Sequence, residues 1–216
     1  MGANKFFFSQ FRKGLNLFAD YQFNNNLIDD ANGYNLTGTD ITYNNGNAVF
    51  NGVTSVARRT DAEDLFSFTD GTNDLPFKIE TSVKFNDFTK PAHTIVKKRD
   101  AGGRDLEWQL ILGNNSSEIQ ISLYSLNLSG QISGSLGVKK TIIQDTNIVY
   151  NIVVSYDGSK TLDGLNLLVN GVSATDKSES NYSGMSKTGA FFTVGSTNLA
   201  GDFDLDGQID YLKIYK

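Results

Sequence analysis

The glutamates are the residues of this 216-residue chain that could hydrolyse a glycosidic bond, a reaction that uses two neighbouring carboxyl groups. The chain has five, and each is isolated: Glu63, Glu80, Glu107, Glu118 and Glu179. Glu107 is the most suggestive, because Trp108 beside it could raise the pKa of its carboxyl group and stack on a sugar. No partner stands at the Glu-x-Asp-x-Glu spacing, so the pattern favours a surface or sheet-edge role for Glu107.

Nucleophilic catalysis finds no support either. The chain has no cysteine, so no thiolate can act as a nucleophile or a metal ligand. The one histidine, His93, opens a strand-like run and has no Ser-Asp signature near it. The sequence therefore predicts that the protein is not an enzyme.

The acidic segment GDFDLDGQID matches the first nine positions of an EF-hand calcium loop. The matching residues are Asp202, Asp204, Asp206, Gly207 and Ile209. The twelfth position needs a bidentate carboxylate, and Lys213 stands there, followed by strand-forming rather than helical residues. The pattern argues against an EF-hand.

The charge and the hydrophobic pattern of the chain limit the classes of partner that it is expected to bind. The formal net charge is -5 and the isoelectric point is about 4.8, which opposes binding to a phosphate backbone, so nucleic acid is not expected as a partner. No run approaches the roughly 20 apolar residues that span a bilayer, so membrane insertion is not expected either. The opening MGANKFFFSQFRKG has no apolar stretch typical of a secretion signal.

The elements that must position any site are strands. In FKIETSVKF, apolar residues and one threonine alternate with polar residues, the period of a half-buried strand. IQISLYS, YNIVVSY and LNLLVNG follow, with turn signals at Asp157-Gly158 and Asn170-Gly171 that predict hairpin neighbours. The best helical candidate is the short segment 61–66, which would make only a turn or two.

These blocks resemble, in order and spacing, the laminin-G-like family of concanavalin-A-like jelly rolls. The resemblance rests on YQFNNNLIDDANGYNLTG, AVFNG, FKIETSVKF, TIVKKRD with EWQLIL, YNIVVSYDGS with LNLLVNGV, FFTVGS and GQIDYLKIY. It implies an all-β fold, an antiparallel β-sandwich, formed as a single domain over residues 15–216 behind a short N-terminal arm, residues 1–14. Members of this family bind carbohydrate, mediate adhesion or hydrolyse glycosides, so the fold alone does not define a function.

The resemblance also implies one structural Ca²⁺ between an N-terminal loop and the last strand. Asp210 matches the aspartate of the last strand, and Asp30 and the carbonyl group of Gly33 fall in the matching loop. Asn24 stands where the family commonly has aspartate, which removes a charge. The alternative is that these carboxylates cap loops.

Four residues around the RDAGGRD segment are candidates for binding carbohydrate. Sugar sites combine an aromatic platform with polar side chains, and Trp108, Tyr124, Arg99 and Arg104 could converge there. The alternative is that the tryptophan block belongs to the core of a sheet, as it often does in the resembling family.

Display on a phage or viral particle would reconcile an exterior-facing fold with the absence of a secretion signal. The protein would then bind a host-surface glycan, and a basic aromatic arm would attach it to other virion subunits. The arm residues are Phe6, Phe7, Phe8, Phe11 and Arg12. Two alternatives remain open: a purely structural virion decoration protein with only protein partners, and a secreted, extracellular bacterial lectin-like domain. A homo-oligomer within a larger assembly is a further possible partner arrangement.

Deletion of residues 2–14 tests the arm. We expect a domain that stays folded, as judged by circular dichroism and melting temperature, but no longer joins its particle. Unfolding of the shortened protein would instead show that these residues complete the sandwich as an edge strand or a coat.

Overall fold

The structure is a computed structural model, and it describes residues 14–99, 105–196 and 203–216. Sixteen strands and one short 3₁₀ helix, Leu162–Gly164, occur within these ranges. The strands are β1 (Leu17–Tyr21), β2 (Thr37–Thr39), β3 (Thr42–Asn44), β4 (Asn47–Asn51), β5 (Val56–Arg59), β6 (Phe77–Phe85), β7 (His93–Lys98), β8 (Trp108–Gly113), β9 (Glu118–Leu126), β10 (Ile132–Thr141), β11 (Val149–Tyr156), β12 (Leu165–Val169), β13 (Val172–Ser173), β14 (Asp176–Ser180), β15 (Phe192–Val194) and β16 (Asp206–Tyr215).

Two antiparallel sheets pack face to face. The first has the order β13-β12-β11-β6-β16-β4-β3, with β1 pairing the far end of β16, and the second has the order β14-β10-β9-β8-β7-β15-β5-β2. Both sheets contribute to one hydrophobic core. The predicted all-β antiparallel sandwich is therefore confirmed. No helix in the described ranges is long and apolar enough to cross a membrane.

The alternating pattern of FKIETSVKF is confirmed in β6, the central strand of the first sheet. Its odd-numbered residues from Phe77 to Phe85 are buried, and Lys78, Glu80 and Lys84 are partly exposed. Neighbours β11 and β16 pair with it over most of its length. A buried face of this kind fixes the register, because a shift by one residue would expose the whole apolar set.

The turn chemistry read from the sequence matches the structure at Asn170-Gly171. Both residues have positive φ angles, 50° and 76°, which suit the tight hairpin that joins β12 to β13. Asp157-Gly158 instead opens a longer connection, which contains the 3₁₀ helix and still joins the antiparallel neighbours β11 and β12.

The segment 61–66 forms turns rather than a helix. The carboxylate of Asp61 accepts hydrogen bonds from the backbone N–H groups of Leu65 (2.7 Å) and Phe66 (2.9 Å), which closes the turns from inside. The ring of Phe66 then enters the core and stacks on Phe192, with centroids 4.0 Å apart. The segment therefore forms turns that direct this ring into the core, and the predicted helical turn is absent.

A buried carboxylate, Asp74, joins three connections at one end of the sandwich. It accepts hydrogen bonds from the hydroxyl groups of Tyr156 (2.7 Å) and Tyr182 (2.6 Å) and from the N–H of Met185 (2.7 Å). Burial, together with the Asp74 acceptor, raises the pKa of both tyrosines above the ordinary value. Asp74 is thus the acceptor on which two buried hydroxyl groups depend.

We expect Asp74→Ala to lower the free energy of unfolding by about 3 kcal/mol or more, because it leaves three buried donors without an acceptor. Tyr182→Phe removes only one donor and should cost about 1 kcal/mol. Urea denaturation measures both, with Glu179→Ala on the exposed strand β14 as the control. A loss for Asp74→Ala no larger than that of the control would show that Asp74 does not hold this end together.

Candidate functional site

A cleft of about 470 Å³ opens at the same end of the sandwich. One wall is the β9–β10 hairpin, and the other is the segment that precedes β15. Its lining includes Asp105, Asn127, Leu128, Met185, Lys187 and Thr188. The volume is that of a small-molecule site, and the lining combines charged, polar and apolar side chains.

The end of β9 holds the wall formed by residues 183–188 in place. The hydroxyl of Ser125 donates to the carbonyl of Gly184 (2.7 Å) and accepts from the N–H of Ser183 (3.0 Å). The hydroxyl of Ser186 accepts from the N–H of Leu126 (2.8 Å). Because these bonds join side chains to backbone, they position an irregular segment that has no strand partner of its own.

The opposite wall is shaped by Asn127. Its side-chain carbonyl accepts hydrogen bonds from the N–H groups of Ser129 (2.9 Å) and Gln131 (3.0 Å), so the amide closes the hairpin turn. This turn places Leu128 fully in solvent at the rim of the cleft. An exposed leucine beside polar groups offers an apolar surface to a ligand.

Glu107 anchors the base of the cleft wall. Its Oε1 accepts from both the N–H (2.6 Å) and the hydroxyl (2.8 Å) of Thr188. The expected surface or sheet-edge position is wrong, because Glu107 is fully buried. Burial raises the pKa of its carboxyl group to about 7, and the neighbouring Lys98 ammonium opposes that rise.

Lys98 is surrounded by three carboxylates. Its ammonium lies 2.6 Å from Asp61, 3.4 Å from Asp64 and 3.5 Å from Glu107. Lys187 on the cleft wall lies 3.7 Å from the other side of Asp64. The cleft is thus connected to a buried charge cluster, in which opposite charges compensate one another.

Among the predicted carbohydrate residues that the structure describes, Trp108 lies apart from Tyr124 and Arg99. Trp108 is fully buried and its indole N–H donates to the carbonyl of Phe66 (3.0 Å), so it offers no exposed face to a sugar. Its inward direction is set by its register opposite the buried Leu123. The prediction of Trp108 as an aromatic platform is therefore corrected, and the alternative that placed it in the core is what the structure has.

Tyr124, the next residue along β9 after Leu123, faces away from the core and is half-buried. Its hydroxyl accepts a hydrogen bond from the side-chain amide of Gln109 (2.7 Å). Burial raises the pKa of Tyr124, and the positive charge of Arg99 opposes that rise. Tyr124 and Arg99 are therefore neighbours on the outer face. Arg104 lies outside the described residues, as do Phe6, Phe7, Phe8, Phe11 and Arg12 of the predicted arm.

Sequence reasoning missed the residues that line the cleft. Asn127, Ser183, Lys187 and Thr188 lie in loops without hydrophobic periodicity, so no pattern places them together. The one local signal is the turn-forming Asn-Leu-Ser-Gly sequence that begins at Asn127.

The residues predicted to bind calcium are exposed. Asp30, Asn24, Gly33 and Asp210 all lie at the surface, Asp210 where the register of β16 shifts against β6. Among the described residues, no group of three or more histidine, aspartate or glutamate side chains is arranged to hold a metal ion. The calcium site therefore stays a prediction.

Asp29, rather than Asp30, is the buried carboxylate of the N-terminal loop. It accepts from the backbone N–H groups of Asp20 (2.7 Å), Ala31 (3.0 Å), Asn32 (3.0 Å) and Tyr34 (2.9 Å). Four donors already satisfy its oxygen atoms, so the loop is closed by its own backbone.

The EF-hand reading is excluded by the strand at its centre. Asp206 begins β16 and Gly207 and Ile209 continue it, so these residues pair with β4 and β6 instead of forming a loop. The N–H of Asp206 donates to Nδ1 of the buried His93 (3.2 Å), and burial lowers the pKa of that histidine. His93 therefore has a structural contact.

Comparison with models of known protein families finds no match, and no curated protein matches the sequence. Several solved structures share the fold. Domain 4 of AbnA, an extracellular GH43 arabinanase of Geobacillus stearothermophilus solved with arabinotriose, is 21% identical with a TM-score of 0.60, over 94% of each chain.

Two further neighbours are larger than this chain. Trypanosoma rangeli sialidase in complex with sialic acid is 11% identical with a TM-score of 0.63, over 91% of this chain and 30% of that one. Botulinum neurotoxin type C, whose route into cells depends on two ganglioside molecules, is 12% identical with a TM-score of 0.60, over 96% of this chain and 49% of that one. At these identities the likeness establishes the class of fold: the chain is a jelly-roll β-sandwich.

We expect the melting temperature to be the same in buffers with calcium and with EDTA, because Asp29 is already satisfied and its loop needs no ion. Scanning calorimetry of the purified protein makes this comparison, with Asp210→Asn as the matched variant. A higher melting temperature in calcium that disappears in Asp210→Asn would instead establish the predicted ion site.

Proposed function

We propose that the protein is a non-catalytic carbohydrate-binding module and that its ligand occupies the cleft of about 470 Å³. The cleft is the observation that carries the proposal. It is formed by loops at one end of the sandwich. Binding residues often lie on loops that a rigid scaffold positions.

The structural neighbours support the choice of ligand class. The arabinanase domain is solved with arabinotriose and the sialidase with sialic acid, and the neurotoxin interacts with gangliosides. The arabinanase domain carries the most weight, because it matches this chain over nearly its whole length. The larger neighbours contain the same sandwich as one part of a longer chain.

The chemistry of the cleft suits a sugar. The Asp105 carboxylate accepts hydrogen bonds from hydroxyl groups, and the Lys187 ammonium donates them. Leu128 and Met185 supply apolar surface for the C–H groups of a sugar ring. Polar groups combined with a small apolar surface orient a polyhydroxylated ligand.

The absence of catalysis remains part of the proposal. Glu107 and Asp61 are the two carboxyl groups whose shared contact with Lys98 could suggest a hydrolytic pair, but both are fully buried. A pair of carboxylates that hydrolyses a glycoside must reach opposite sides of the scissile bond. These two are closed off from a ligand in the cleft.

A finer proposal concerns where the module works. Display on a phage or viral particle, with recognition of a host-surface glycan, rests on the basic aromatic residues of the predicted arm. A structural decoration protein and an extracellular lectin-like domain are the alternatives. Glycan binding would argue against the structural decoration protein, which needs no sugar. It is compatible with both the virion display hypothesis and the lectin-like domain.

We expect a glycan array to detect specific binding by the wild-type protein. Ser183→Trp should abolish it by filling the cleft, since the Ser183 bond to Ser125 uses the backbone and survives the change. Asp105→Asn should weaken it about tenfold, because it removes one charged acceptor. Asparagine tolerates the positive φ of Asp105, 56°, so the loop keeps its shape.

Ser180→Trp on the exposed edge strand β14 is the matched control and should bind like the wild type. Equal binding by Ser183→Trp would move the site away from the cleft. A folded wild-type protein that binds no glycan on the array would contradict the proposed function itself.

A further inference from the structure

Three side chains of complementary chemistry meet in the core without access to solvent. Lys98, Asp61 and Glu107 are all buried, with side chains of Lys98 and Asp61 at 0% exposure. The Lys98 nitrogen is 2.6 Å from Asp61 Oδ2 and 3.5 Å from Glu107 Oε1. An amine, a carboxyl group and a second carboxyl group are therefore within reach of one another.

The surroundings of this cluster are aromatic. Trp108 lies opposite Lys98 in the register of β7 and β8, and Phe66 follows directly on the turn that Asp61 closes. Lys216 closes another side, with its ammonium 4.7 Å from the ring of Phe18. Burial penalises each charge of the cluster, and the close contacts between the ammonium and the carboxyl groups offset that penalty.

The carboxyl group of Asp61 is held in place for attack. Leu65 N–H donates to Oδ1 (2.7 Å) and Phe66 N–H donates to Oδ2 (2.9 Å). Backbone donors aimed at a carbonyl oxygen stabilise the negative charge that develops there when a nucleophile adds to the carbon. The Lys98 nitrogen, the candidate nucleophile, lies 2.6 Å from Oδ2 of this carboxyl group.

Glu107 is the second carboxyl group near the Lys98 nitrogen. Its Oε1, which also accepts from Thr188, lies 3.5 Å from that nitrogen. Burial raises the pKa of this carboxyl group to about 7, so it can both accept and release a proton near neutral pH.

We propose that Lys98 and Asp61 become joined by an amide bond that the folded chain forms by itself. The Lys98 ammonium gives up a proton within the cluster, its neutral nitrogen adds to Cγ of Asp61, and one carboxyl oxygen leaves as water with protons relayed by Glu107. One N–C bond forms and one C–O bond breaks, and no oxidant or cofactor is needed. Glu107 returns to its starting protonation state.

The bond would link the turn after β5 to the end of β7, residues 37 positions apart in the chain. A chain without cysteine has no disulfide to restrict its unfolded state. A side-chain amide would supply such a restriction in any redox environment, by the same loop-closure effect that a disulfide has. It would suit a binding module that is exposed to mechanical or proteolytic stress.

Intact mass spectrometry of the purified full-length protein under denaturing conditions tests the proposal. We expect a mass about 18 Da, one water, below that calculated for the unmodified chain, after allowance for removal of Met1. Digestion should yield a branched peptide that contains both Asp61 and Lys98. Lys98→Arg, which keeps the charge but lacks the amine, should have its full mass.

Glu107→Gln keeps an oxygen for Thr188 and should slow or abolish the loss of water. Asp-Gly pairs such as Asp70-Gly71 can also lose water by forming a succinimide, but that product hydrolyses in mild alkali and does not depend on Lys98. A freshly purified and an aged wild-type sample that both have the full mass would overturn the proposal, and the cluster would then be an ion pair.

Discussion

Burial of aromatic rings between two sheets is the constraint on which the rest of the structure depends. Phe68 stacks on Phe77 with centroids 3.9 Å apart, and Trp108 lies 5.0 Å from Phe68 and 6.1 Å from Phe192. The chain has no cysteine, so no disulfide supports this packing. Gly195 shows how tight the packing is, because a Cβ there would come within 2.1 Å of the Phe50 ring.

This constraint explains how much could be predicted. Strands such as β6 follow from alternation alone, because one face must enter the core. Alternation does not say which face of β8 is inward when both carry large residues, so the sequence leaves open whether Trp108 faces a ligand or the core. Its register opposite Leu123 decides the matter, and register is a property of the assembled sheet.

Loop carboxylates were harder to assign for a related reason. Asp29 and Asp30 are adjacent and chemically the same, yet Asp29 is buried with four backbone donors and Asp30 is exposed. Asp61 and Asp74 are likewise buried, and each accepts hydrogen bonds from backbone N–H groups of a connection between strands. Which aspartate turns inward depends on the path of the backbone, which local sequence does not encode.

The cleft and the buried cluster are coupled through Glu107. Its Oε1 holds Thr188 on the cleft wall, and the same carboxyl group lies 3.5 Å from the Lys98 nitrogen. The Lys98 ammonium opposes the rise that burial causes in the pKa of Glu107. One carboxyl group therefore belongs both to the buried charge cluster and to the contacts that hold the cleft wall.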